Sequence, residues 1–128
     1  MVWAAQGPWK AQHDAHFLDN GGILLFDNRG LANGSRVLEY DPQTQGFPWS
    51  YTEKQERFNT REQGQCQRLP NGNTLIVISE KGRLLEITPD KEVVWSATNP
   101  REMGNFTTAR RYSPQELNFL TEGQRARP

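Results

Sequence analysis

The strongest constraint on the fold is an internal repeat. AHFLDNGGILLFDN followed by SRVLEYDPQTQGFPWSY is answered by CQRLPNGNTLIVIS followed by KGRLLEITPDKEVVWSA. Leu18-Asp19-Asn20-Gly21 corresponds to Leu69-Pro70-Asn71-Gly72, and Arg36-Val37-Leu38-Glu39 to Arg83-Leu84-Leu85-Glu86. Asp41-Pro42 corresponds to Thr88-Pro89, and Trp49-Ser50 to Trp95-Ser96. A period of roughly 45–50 residues is that of a four-stranded propeller blade. Such units bury their apolar faces only by stacking on one another.

Each copy carries four strand signals. The first has them at 15–18, 23–26, 37–40 and 47–51, the second at 66–69, 74–78, 84–87 and 93–97. Asn-Gly, Asp-Pro and Glu80-Lys81-Gly82 supply the turns between them. The inner strands are apolar runs, as in sheets covered on both faces. Trp49 and Trp95 hold equivalent places and are expected to pack blade against blade. Residues 29–35 and 53–64 interrupt the repeat, the first as a longer loop and the second as a polar bridge. Val2-Trp3 resembles the Val94-Trp95 end of a blade. Beyond the second copy, residues 105–112 suggest a further strand. Ser113-Pro114-Gln115-Glu116 has a capping-box pattern that predicts a short helix over 114–120. The expectation is a single all-β domain over 1–128, of β-propeller-type four-stranded antiparallel blades. It comprises a first blade over 9–52, a second over 65–98, and an extra strand and short helix over 105–121.

Two to two and a half blades do not close a ring. An open stack leaves apolar faces in water. Self-association is therefore expected: a dimer or trimer of the chain would complete a ring, unless these residues are part of a longer protein. Hydrophobic residues make up 34% of the chain and mean hydropathy is -0.84, so four Trp and six Phe must supply much of the buried area. Formal net charge is +0, which gives no footprint for nucleic acid or an anionic membrane surface. No apolar run reaches the ~18 residues of a spanning helix. The N-terminus lacks the pattern of a secretory signal. The chain as written suits the cytoplasm, or the periplasm if a leader has been removed. One cysteine, Cys66, rules out an intrachain disulfide.

Chemistry centres on QHDAHFLDNGGILLFDN, which holds both histidines, His13 and His16. On a regular strand their odd separation places them on opposite faces, so the chain is not expected to offer both to one metal. His16 aligns with Gln67 and reads as a polar slot filled in each blade. His13 aligns with Gly64, so it is filled specially in the first copy, beside the central channel. His13 is the better functional candidate. Asp14, Asp19, Asp27 and Asp41 match no calcium-loop spacing. Asn33-Gly34-Ser35 and Asn105-Phe106-Thr107 match glycosylation sequons. No phosphate loop, CxxC or nucleophile elbow is present. Cys66 reads as a buried small apolar residue, and Arg110-Arg111 as a solvated pair. Neither a cofactor nor a metal is expected.

The order QHDAHFLDNGGILLFDN, SRVLEYDP, QRLPNGNTL, GRLLEITP and VVW resembles the bacterial arylsulfotransferase family, and ARRYSPQELNFL looks like a C-terminal segment of its relatives. The resemblance runs from about Trp9 to Leu120 and corresponds to the C-terminal blades of a longer propeller. It implies a six-bladed fold that moves a sulfuryl group from an aryl sulfate to a phenol without a nucleotide donor. It implies that the motif histidine, His13 here, is transiently sulfated. Asp14, His16, Asn28 and Arg36 are the accompanying binding candidates. In the family, further histidines and an arginine from earlier blades complete the site, and no residues here match them. Asp14 stands where a smaller uncharged residue is expected. It either orients an imidazole or repels an anionic ester. The alternative reading is a non-catalytic propeller fragment that binds a small ligand or self-assembles.

Overall fold

The computed structural model describes residues 3–53, 58–100 and 105–120. It contains two four-stranded antiparallel sheets of the propeller-blade kind, each a simple meander. The first consists of β1 (His13–Phe17), β2 (Ile23–Leu31), β3 (Gly34–Asp41) and β4 (Gly46–Tyr51). The second consists of β5 (Gln65–Arg68), β6 (Thr74–Ile78), β7 (Arg83–Ile87) and β8 (Val93–Thr98). The repeat extends to single hydrogen bonds. Leu18 N–H donates to Gly22 O and Gly21 N–H to Leu18 O, while Leu69 and Gly72 make the same two bonds with Asn73 and Leu69. Gly21 and Gly72 sit at φ +83° and +85°, where a side chain would be strained.

Residues facing each other across an antiparallel pair project from the same side of the sheet. Leu24, Phe26, Val37, Trp49 and Tyr51 thus share one face of the first sheet. They pack on Cys66, Ile76, Ile78, Leu85 and Ile87 of the second, forming the core between the blades. The opposite face of the first sheet carries Leu25, Leu38 and Tyr40. The segment before β1 covers it: Trp9 meets the Tyr40 ring edge-on at 5.2 Å, and Ala5 packs beside it.

A polar cluster locks the blade junction. Glu39 faces Trp49 across β3 and β4. Its carboxylate accepts from Arg68 of the second blade at 2.8 Å and from Asn20 at 3.1 Å. The Arg68 guanidinium lies over the Trp49 ring, 5.0 Å from its centroid. Trp49 Nε1–H crosses to Pro89 O at 2.9 Å. The second blade repeats the arrangement. Glu86 faces Trp95, accepts from Asn73 at 2.7 Å, and pairs with Arg111, whose guanidinium lies over Trp95. Arg111 thus holds the place for the second blade that Arg68 holds for the first, and the reading of Arg110-Arg111 as a solvated pair fails for Arg111. Trp49 fills the blade junction as expected. Trp95 does not: it is 41% exposed, with Val93 and Val94 beside it at 50% and 54%.

Three expectations are corrected. Residues 29–35 are not a loop: β2 and β3 continue as a hairpin whose register shifts between Asp27 and Leu31. The bridge after β4 (54–57 lying outside the described residues) is pinned from Phe58 onward. Phe58 is buried against Phe26, with ring centroids 5.8 Å apart. Ser35 N–H donates to Phe58 O, and the Ser35 hydroxyl accepts from Thr60 N–H. Residues 105–112 form no strand, and 114–120 form turns rather than a helix. The capping box does close, with Glu116 N–H on Ser113 Oγ and Ser113 N–H on the Glu116 carboxylate. That cap is not enough. Phe119 is 74% exposed, and so short a segment without a packed apolar face does not sustain a helix. Among the described residues no helix is long and apolar enough to cross a membrane.

Candidate functional site

β1 is an edge strand beside β5, and its distortion determines how its side chains are presented. His13 faces Phe26 and His16 faces Leu24. Two residues separate the histidines, whereas only Leu25 separates their partners, so β1 carries a bulge. Asp14, at φ 53°, supplies the left-handed turn that absorbs the extra residue. Leu24 and Phe26 project from one face, so His13 and His16 do as well. The expectation of opposite faces is therefore wrong, because it assumed a regular strand. Among the described residues, no three His, Cys, Asp or Glu side chains gather as a metal site.

The bulge also changes how the repeats correspond. β5 pairs regularly, with Gln67 opposite Leu75 and Gln65 opposite Val77. His16 answers Gln67 as read from the sequence, but His13 answers Gln65 rather than Gly64. Both blades thus place a polar side chain there. Gly64 instead allows close packing: a Cβ on it would come within 2.6 Å of the Phe26 ring. Asn28 correspondingly answers Ser79. Among the described residues the buried Gln65 Oε1 and Ser79 Oγ find no hydrogen-bond partner, whereas their first-blade counterparts bond to each other.

His13 Nδ1 lies 2.8 Å from Asn28 Oδ1 and 3.1 Å from Ala11 O. His16 Nδ1 lies 2.9 Å from Asp14 O. Both imidazoles are held by the same nitrogen. His16 faces a cleft of about 580 Å³ between the blades. Phe17, Leu69 and Pro70 give that cleft its apolar walls; Asp19, Glu39, Arg68 and Arg110 also line it, with Arg68 paired to Glu39.

The remaining candidates take other roles. Asp14 does not orient an imidazole with its carboxylate. Its Oδ2 accepts from Cys66 N–H at 2.9 Å and staples the two blades at the bulge. Arg36 lies opposite Asp27, whose side chain is 0% exposed, and its Nε donates to Oδ2 at 2.8 Å. Arg36 and Val37 are neighbours on β3, so Arg36 projects from the face away from His13. It is a structural ion pair and does not join the histidines. Asn28 is buried and does meet His13. Cys66 is buried. Burial pushes its thiol well above the ordinary range, nearby Asp14 adds to this, and Arg68 opposes it, so Cys66 is no nucleophile. Arg68 is not legible from the repeat, because it stands where the first copy has Phe17.

The family model described as Arylsulfotransferase (ASST) matches residues 1–100. Comparison with the curated proteins found no match.

Proposed function

Because the chain belongs to the arylsulfotransferase family, we propose that it carries out sulfuryl transfer from an aryl sulfate to a phenol, with His13 as the transient acceptor. The observation that carries this reading is the placement of His13. The bulge turns it to the junction face beside His16, and its ring is anchored through Nδ1. In the first half-reaction the free imidazole nitrogen attacks sulfur and forms an N–S bond. The S–O bond to the aryl group breaks, and the phenolate leaves with the electron pair. In the second half-reaction an acceptor phenol attacks the sulfur and gives up its proton to solvent, and the N–S bond breaks with its electron pair returning to nitrogen. Arg110 and His16 supply positive charge or a donor in the cleft that His16 lines, where Arg68 is paired with Glu39. His13→Ala should lower turnover of an aryl sulfate by about 10³-fold or more. Turnover equal to the parent's would eliminate His13 as the acceptor.

The sequestration of Arg36 by Asp27 favours a second reading. One arginine of the family motif is thereby withdrawn from the substrate, as expected of a propeller fragment that binds a small aromatic anion without turning it over. Saturable binding without turnover would select that reading.

We further propose that two or three copies of this chain assemble to complete the ring. Exposed Val93, Val94 and Trp95 on β8 support this, since an apolar strand at a sheet edge invites a partner. Light scattering after size exclusion should give a discrete dimer or trimer. A monomer at micromolar concentration would remove this part of the proposal.

A further inference from the structure

We propose that Asn28 is a positioning residue: it holds His13 in the Nδ1–H tautomer and makes Nε2 the reacting nitrogen. The inference rests on which atoms can donate. The Asn28 amide nitrogen donates to Thr60 O and to Gln63 O, both at 2.7 Å. Those two carbonyls use both of its protons. A flipped amide would set oxygen against oxygen twice, so its orientation is fixed. Asn28 Oδ1 is therefore the atom facing His13 Nδ1 at 2.8 Å, and it can only accept. Ala11 O, the other neighbour of Nδ1 at 3.1 Å, can also only accept. The proton must sit on Nδ1, which leaves the Nε2 lone pair free. A hydrogen bond at one ring nitrogen decides what the other can do.

The device reaches further than one contact. Thr60 and Gln63 belong to the segment joining the two blades. Ser35 secures that segment by donating to Asn28 O at 2.9 Å and accepting from Thr60 N–H at 3.1 Å. The connection between the blades thus sets the histidine tautomer. An uncharged amide does this without placing a carboxylate against the ring, where an incoming anionic ester would be repelled. Ser79, the counterpart of Asn28 in the second blade, has no such partners among the described residues.

That Nε2 then attacks sulfur rests on the sulfuryl-transfer reading above, whereas the tautomer does not. Long-range ¹H–¹⁵N correlation spectra of ¹⁵N-histidine-labelled protein, recorded with the imidazoles neutral, read it directly. The parent protein should show His13 protonated at Nδ1 and bare at Nε2. Asn28→Ala leaves Ala11 O, at 3.1 Å, as the remaining acceptor at Nδ1 among the described residues, and should raise the Nε2–H fraction of His13 above the parent's. His16, held by Asp14 O, should stay Nδ1–H in every variant and so reports an intact β1. An Nε2–H His13 in the parent overturns the proposal, as does an unchanged tautomer in Asn28→Ala. Should alanine displace His16 as well, the parent spectrum decides. If the protein turns over aryl sulfate, Asn28→Ala should lower kcat on the order of 10²-fold with little change in KM. The correct tautomer without turnover would refute the transfer reading and leave the role of Asn28 standing.

Discussion

Phe26→Ala should remove about 3–5 kcal/mol of stability, the range for emptying a buried aromatic site. Phe26 is 0% exposed and lies at the centre of the blade junction. On one side its ring meets Phe58. On another, Gly64 approaches so closely that even a Cβ would clash. Neither neighbour can readily refill the space: Phe58 is held by its carbonyl bond from Ser35, and Gly64 has no side chain. The loss is a large share of the ~5–15 kcal/mol that holds a typical domain folded. Urea unfolding followed by tryptophan fluorescence should show a lower midpoint with a similar slope. A loss below about 1 kcal/mol would mean that the blades do not depend on this contact.

Arg36→Met should cost about 3 kcal/mol, the lower end for breaking a buried pair, since Arg36 is itself 21% exposed. The penalty comes from Asp27. Its side chain is 0% exposed, and without Arg36 only the Lys10 N–H, at 2.9 Å, answers it among the described residues. Gly30 folds so tightly over the carboxylate that a Cβ there would lie 1.7 Å from Oδ2. The double variant with Asp27→Leu should recover much of the loss, because it removes the stranded charge. If Arg36→Met were neutral in stability but lost ligand binding, Arg36 would belong to the site after all.

The sequence made the blades legible because their determinants are local. Asn-Gly turns, apolar inner runs and the paired tryptophans occur twice in the same order, and each sheet forms between neighbouring segments. The site was less legible because it depends on departures from that regularity. One extra residue at Asp14 turns both histidines to one face, and only its tolerance of positive φ hinted at this. The same bulge moves the partner of His13 in the repeat from Gly64 to Gln65. Asn28 was singled out, but its contact with His13 depends on carbonyls from residues 60 and 63, in a segment that reads as a polar bridge. Arg68 and Arg111 each act on the blade that precedes them in the chain, so they compare with each other and not with a residue at the same place in the repeat. The helix read at 114–120 fails for the opposite reason. Its cap is local and forms, while the packing a helix needs is not supplied.

The most direct test of the sulfuryl-transfer account is the intact mass of the protein after brief exposure to an activated aryl sulfate without a phenol acceptor, followed by peptide mapping. The account predicts one added sulfuryl group, located on His13, absent from His13→Ala and discharged when a phenol is added. An unmodified, folded protein, or a sulfuryl group on any other residue, would contradict it.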